Sequence, residues 1–249
     1  MAELVTIRCL TDNYAYLVHD RGCTVLIDAP EAGPILSELR GRGWSLDAIL
    51  LTHHHDDHIQ AVPEIVAATG AQVWGNMADT SRLPPLDRAL ETGEWTEVCG
   101  QTLNVIDVPG HTVGHVAFHM PDAGLVFTAD SLMALGCGRL MEGTADQMWA
   151  SLSALDALPG ETVVCSGHDY CRGNGAFALS VDAGNEALRR RLDDTAAGRR
   201  PCSPSTLDDE RQSNPFLRAP DLAASLGMAG APDAEVFAQL RRMKDEFRG

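Results

Sequence analysis

The chain is short of cations. It has a single lysine, Lys244, among 249 residues, and only 19 basic side chains against 35 acidic ones, for a net charge of −16. Phosphate contacts need lysine and arginine, so this balance argues against duplex nucleic acid as a partner for the surface at large. There is also no Cys-x-x-Cys pair. The seven cysteines (Cys9, Cys23, Cys99, Cys137, Cys165, Cys171 and Cys202) read as reduced, mostly buried thiols, and they suit neither a disulfide framework nor a thiolate zinc site. Any metal must then be held by nitrogen and oxygen. No apolar run reaches the roughly 20 residues that a membrane helix needs, and the opening residues show no basic segment leading into an apolar one. A soluble, cytoplasmic protein is expected.

What is present suffices for a core. The apolar fraction is 45%, enough for one large domain or a main domain with a smaller appendage. Charge is uneven: residues 1–170 hold 7 basic and 23 acidic groups, whereas residues 171–249 hold 12 of each. The acidic part can concentrate metal cations, and the neutral part can keep a basic pocket for an anionic substrate.

Residues 4–8, 14–18, 24–28 and 48–52 have strand character, with turns at Asp12-Asn13 and Asp20-Arg21-Gly22. Helices are predicted over 31–42, ending at Gly43, and over 63–69, ending at Gly70. Strands follow over 72–74, 95–98, 102–108, 115–120 and 124–128, then a helix over 145–157 and a strand over 162–165. Two strand-rich halves with helices of this kind pack best as a sandwich with the helices outside, an α+β arrangement. Beyond Tyr170 the texture turns helical, with helices over 176–197 and 233–247 separated by a loop around 201–204. In the last helix Val236, Phe237, Leu240, Met243 and Phe247 form an apolar stripe, and Arg241 and Lys244 are neighbours on its flank.

Directly after the apolar run Ala48-Ile49-Leu50-Leu51 comes His53-His54-His55-Asp56-Asp57-His58. So dense a cluster of imidazole and carboxylate costs solvation unless something binds it, and a divalent metal is the usual answer. Read as His-x-His-x-Asp-His, it offers ligands at 53, 55, 57 and 58, with 54 and 56 pointing elsewhere. Side chains alternate in an extended segment, so 53 and 55 share a side and a turn can present 57 and 58 to a second point. Two metals, or one metal with a nearby acid, both fit. A purification tag or a solvated polar loop is the bland alternative, but tags sit at termini and lack interleaved aspartates.

Three further strand ends each offer one ligand: Val108-Pro109-Gly110-His111-Thr112, Phe127-Thr128-Ala129-Asp130 and Val164-Cys165-Ser166-Gly167-His168. Each is weak alone. Taken in order after the histidine cluster, they resemble the metallo-β-lactamase superfamily, in which such residues form a two-metal site on a four-layered αββα sandwich. Within it the chain is similar to the glyoxalase II family, the hydroxyacylglutathione hydrolases. The likeness runs through Asp12-Asn13-Tyr14, Gly136-Cys137-Gly138-Arg139, Glu142-Gly143-Thr144-Ala145-Asp146 and Gly167-His168-Asp169-Tyr170. It continues in Pro204-Ser205-Thr206-Leu207, Asn214-Pro215-Phe216-Leu217-Arg218 and Arg241-Arg242-Met243-Lys244-Asp245.

The resemblance implies a catalytic αββα domain over 1–170 and a helical substrate-binding domain over 171–249. It implies that His53, His55 and His111 hold one divalent ion and Asp57, His58 and His168 a second, with Asp130 bridging, and that Asp28 orients an imidazole by accepting its free N–H. Zinc is the first expectation for the metal, with iron or manganese also suited to such ligands. Asp57 and Asp130 are the expected catalytic carboxylates, beside a hydroxide shared by the two ions. Arg139, Met141, Tyr170, Arg241 and Lys244 take the family's glutathione-binding positions. Met141 departs from the pattern, since relatives commonly carry an aromatic there and a thioether donates no hydrogen bond; Ala129 stands where glycine is usual.

The implied reaction is hydrolysis of S-D-lactoylglutathione to glutathione and D-lactate, the second step of methylglyoxal detoxification, by a monomer. A thiol of pKa about 8.5 leaves as thiolate without an acid, which favours thioester over amide. The alternative within the superfamily is a persulfide dioxygenase-like enzyme with one iron, acting on glutathione persulfide.

Overall fold

Strand-forming runs broken by tight turns fold into antiparallel hairpins: β1 (Glu3–Cys9), which alternates toward its end, and the almost continuously buried β2 (Asn13–Asp20) and β3 (Cys23–Ile27). Helix α1 (Ala32–Arg42) then stops at Gly43, whose φ of 68° is the left-handed turn that glycine adopts without strain. β4 (Ala48–Leu51) is buried at every position, as a parallel strand covered on both faces should be, and pairs with β3. After the single turn of α2 (Asp56–Ile59) and helix α3 (Val62–Thr69), β5 (Gln72–Asn76) and β6 (Arg88–Leu90) complete a six-stranded sheet in the order β1 to β6. Ile35 and Leu39 of α1 and Val62 and Ile65 of α3 pack on Leu17, Leu26, Ile49 and Leu51 of this sheet.

An antiparallel run follows: β7 (Trp95–Val98), β8 (Gln101–Asp107), β9 (Val116–Met120) and β10 (Leu125–Ala129). Tyr16 of β2 meets Phe127 of β10 at 5.6 Å between ring centres, so the two sets of strands share a core. The order helix, sheet, sheet is what the expected sandwich requires.

The computed structural model describes residues 2–248. The chain divides into two compact units, one of Met1–Asp107 with Gly114–Thr128, the other of Val108–Val113 with Ala129–Gly249. The second unit takes in His111, Asp130 and the loop at 136–143 together with the helical tail.

In that second unit β11 (Leu132–Met133) and β12 (Gly136–Cys137) form a small hairpin. α4 (Ala145–Asp156) begins at a capping box, in which Thr144 and Gln147 satisfy each other's backbone N–H groups. β13 (Val163–Ser166) pairs with β14 (Ser205–Thr206). Between them lie α5 (Cys171–Val181) and α6 (Glu186–Ala196), where a single helix over 176–197 was predicted. The break falls at residues 182–185 because Asn185 turns its side chain back to accept from Leu188 N–H and starts a new helix. α7 (Leu207–Ser213), α8 (Ala219–Leu222) and α9 (Asp233–Glu246) follow.

A buried polar knot holds the hairpin. Asn214 donates to the carbonyls of Met133 and Gly136 at 3.0 and 2.9 Å, and Glu210 accepts from Leu135 N–H at 2.9 Å while pairing with Arg191 at 2.5 Å.

The reading of all seven cysteines as thiols is corrected. Cys23–Cys99 and Cys171–Cys202 are disulfides, leaving Cys9, Cys137 and Cys165 free and buried. The partners lie 76 and 31 residues apart in sequence, and only the fold brings their Cα atoms to 5.4 and 6.1 Å. Among the described residues no helix is long and apolar enough to cross a membrane.

Candidate metal centre and ligand pocket

In the first unit the histidine cluster hangs on Asp28. This residue sits just beyond β3 with φ 57° and is almost fully buried. Its carboxylate accepts from Thr52 N–H at 2.9 Å, from the Thr52 hydroxyl at 2.8 Å and from His58 Nδ1–H at 2.8 Å. The Thr52 proton being spent on Asp28, its oxygen accepts from His53 Nδ1, 3.1 Å away. Both imidazoles are thereby held as Nδ1–H tautomers, which puts the lone pair a cation needs on Nε2, the usual support for a metal-bound histidine.

The cluster separates into two pairs. His53 Nε2 and His55 Nδ1 are 3.2 Å apart, and His58 Nε2 is 3.9 Å from Asp57 Oδ2. Asn13 donates to both the backbone oxygen and Oδ2 of Asp57 at 3.0 Å, fixing that side chain. His54 turns to Asp79 at 3.3 Å and Arg82 at 3.5 Å, and His115 stacks on His53 at 4.6 Å.

In the second unit His111, Asp130 and His168 converge. The two oxygens of Asp130 face different histidines, Oδ2 toward His111 Nε2 and Oδ1 toward His168 Nε2, each at 3.4 Å. Nδ1 of His111 donates to the Arg139 carbonyl at 2.9 Å, so its Nε2 again carries the lone pair. Gly138 is obligatory here, since a Cβ would collide with the Asp130 carbonyl oxygen. Ala129, just before Asp130, takes a left-handed φ of 39°, a region that glycine adopts more readily than alanine.

These residues fit a divalent cation by their chemistry. Neutral imidazole nitrogens and carboxylate oxygens are the donor set of zinc, iron and manganese sites. Each of three imidazoles (His53, His58 and His111) has its Nδ1 committed to a protein acceptor.

A cavity of about 630 Å³ lies in the second unit, with His111 and Asp130 in its wall and Arg139, Met141, Tyr170, Arg241 and Lys244 lining it as well. Tyr170 stacks on His168 at 4.7 Å. Lys244 reaches the Gly173 carbonyl at 3.4 Å, and burial, then the neighbouring Arg241 and Arg139 charges, push its ammonium pKa below the ordinary lysine value. Arg241 is buried and spends its guanidinium on the Cys137 carbonyl at 2.9 Å and Asp245 at 2.8 Å. It shapes the loop at 136–138 from beneath, over the ring of Phe216. Sequence reasoning singled out neither the clamp that Asn13 places on Asp57 nor Arg172, which also lines the cavity. Asn13 was visible as part of a motif, but nothing at position 13 announces a partner at 57.

Residues 10–168 match the model of the Metallo-beta-lactamase superfamily, and residues 169–247 match that of the Hydroxyacylglutathione hydrolase C-terminus. A curated relative named hydroxyacylglutathione hydrolase, from Cereibacter sphaeroides, is 56% identical, covering 98% of this chain and 99% of its own. Among solved structures, the BLEG-1 B3 metallo-beta-lactamase superposes with a TM-score of 0.67 at 23% identity, over 87% of this chain and 99% of that one. TTHA1623, solved in a di-iron-bound form, gives 0.64 at 29% identity, over 86% of this chain and 99% of that one. The chain therefore belongs to the hydroxyacylglutathione hydrolase family of the metallo-β-lactamase superfamily.

Proposed function

We propose that the protein hydrolyses the thioester of S-(2-hydroxyacyl)glutathione, S-D-lactoylglutathione foremost, releasing glutathione and D-lactate as the second step of methylglyoxal detoxification. One observation carries the reading: a single cavity has the histidine and aspartate pair His111 and Asp130 in the same wall as Arg139, Tyr170 and Lys244. Donors suited to a metal and cations suited to the carboxylates of glutathione thus line one space. The full-length relatives named hydroxyacylglutathione hydrolase support the same substrate.

On this reading His53, His55 and His111 would hold one divalent ion and Asp57, His58 and His168 the other, with Asp130 available to both. The separation of unit-one donors into two pairs, and the division of Asp130 between two histidines, favour two ions over one. Zinc is the leading candidate, with iron and manganese next. When bound, such ions supply hydroxide at neutral pH and polarise the thioester carbonyl. The protein's own work is orientation. Asp28 and Thr52 fix the tautomers of His58 and His53, Asn13 fixes Asp57, and the Arg139 carbonyl fixes His111. Arg139 and Lys244 attract the anionic substrate, Tyr170 lies against it, and Arg241 holds the loop that presents Arg139. The leaving thiolate needs no proton from the protein.

We place the catalytic ligands in a functional domain over 1–170 and the helical substrate-binding part over 171–249, in a cytoplasmic monomer. The test is metal analysis of the purified protein together with thioester cleavage. Close to two ions per chain and turnover of S-D-lactoylglutathione are expected; less than one ion, or a metal-replete protein inert toward that thioester, would overturn the reading.

A further inference from the structure

The cations around the cavity differ in how far the fold has already used them. Arg241 is buried with both guanidinium ends bonded, to Cys137 and to Asp245. Lys244 is partly engaged by the Gly173 carbonyl and lies 5.8 Å from the ring centres of Phe177 and Phe247. Arg172 is different. It lines the cavity and is exposed, and its side chain makes no hydrogen bond or ion pair among the described residues.

The ordinary explanation for such an arginine is a solvated surface charge that helps its helix. The position argues otherwise. Arg172 is the second residue of α5, whose first turn contains no acidic side chain. A cation there opposes the helix dipole, so the position is unfavourable for the helix itself. Several arginines of the tail have protein partners, among them Arg191 with Glu210, Arg200 with Asp209, Arg211 with Asp156 and Arg218 with Asp182, and of the tail's exposed arginines without one only Arg172 lines the cavity. Arg172 faces the cavity with its fork of donors unspent. Across the same lining, Met141 presents a thioether, which cannot donate at all.

We propose that Arg172 is a specificity-determining residue that binds a carboxylate of the glutathionyl group. This rests on the substrate class proposed above, because that group carries two carboxylates and the cavity otherwise offers Arg139 and a partly engaged Lys244 to receive them. A guanidinium takes a carboxylate through two parallel N–H donors, which fixes the ligand's orientation as well as attracting it. Arg172 touches the end of the substrate remote from the bond that breaks, so its contribution is to binding.

The test compares wild type, Arg172→Ala and Arg172→Lys on two thioesters, S-D-lactoylglutathione and S-D-lactoyl-N-acetylcysteamine, which has no carboxylate. For the glutathione thioester, Arg172→Ala is expected to raise KM about tenfold, the scale of one charge-assisted hydrogen-bonded contact at a partly exposed site, with the lysine variant in between. The gap should narrow with added salt. For the uncharged thioester, wild type and variant should have the same kcat/KM. Equal KM values on S-D-lactoylglutathione, or an equal loss on both thioesters, would overturn the assignment of Arg172 while leaving the reaction intact. Wild type that cleaves only the uncharged thioester would instead overturn the glutathione reading itself.

Discussion

Replacing Asp28 by asparagine should loosen metal binding without disturbing the chain around it. Asp28 has a left-handed φ of 57°, and asparagine tolerates that region at least as well, so the backbone carries no new strain. The change lies in the acceptors. The carboxylate now receives three protons, from Thr52 N, Thr52 Oγ1 and His58 Nδ1, at 2.8 to 2.9 Å. An amide keeps one oxygen and replaces the other with a group that donates. With the oxygen held by Thr52 N–H, the new NH2 faces the Thr52 hydroxyl and His58 Nδ1–H, donor against donor. His58 can relieve the clash only by moving its proton to Nε2, and that removes the lone pair a cation needs. Through Thr52 the same disturbance reaches His53.

Loss of such a supporting partner typically weakens metal affinity about 10- to 100-fold, or about 1.4 to 2.7 kcal/mol. Chelator competition on the metal-loaded protein measures it directly, with a thermal melt of the metal-free variant to show that the fold is kept. A folded Asp28→Asn protein with wild-type metal affinity would refute the tautomer argument.

Two further outcomes follow from the backbone and from acid titration. Ala129→Gly should relieve about 1 to 2 kcal/mol of left-handed strain at φ 39°, less about 0.5 to 1 kcal/mol for the freer unfolded glycine. A rise in melting temperature of about 2 °C is expected in calorimetry, and a fall would show that the alanine methyl is needed for packing. Asp209 is desolvated, which raises its pKa, but hydrogen bonds from Arg200 and Thr206 outweigh this and draw it down to about 2. A carboxyl depressed in the folded state adds stability above its unfolded value near 3.8, and that stability is lost as pH falls toward 2. Unfolding free energies from urea titration should therefore show wild type ahead of Asp209→Asn by about 1 kcal/mol at pH 5, with most of the difference lost at pH 2. A constant gap across that range would contradict the assignment.

The sheets and the histidine cluster were legible in the sequence because both follow local rules. Short apolar and β-branched runs between turns mark β1 to β4, and the glycines at 43 and 70 close α1 and α3 where the pattern ends. Relations carried by the fold were not legible. Neither disulfide has a local spacing signal, and the role of Asn214 appears only once its amide is seen holding two carbonyls of a hairpin some 80 residues earlier. Arg241 shows the limit of reading residue type alone. A basic side chain in a substrate-binding motif suggests a contact with the ligand, and residue type does not announce that its two terminal nitrogens also bond the Cys137 carbonyl and Asp245. The split between α5 and α6 was within reach, because Asn185 is a strong helix-starting residue after Gly184, but the continuous run of helix formers beyond it hid the boundary.

Arg241 also bears on how relatives of this chain can be recombined. The two family models meet between residues 168 and 169, an inviting seam for a chimera. That seam lies inside one compact unit and parts Arg241 from the carbonyl of Cys137, 104 residues upstream. A crossover there would draw the terminal helix from one parent and the loop it supports from another, so the pocket is inherited intact only when residues from about 108 onward, His111 included, travel as a block.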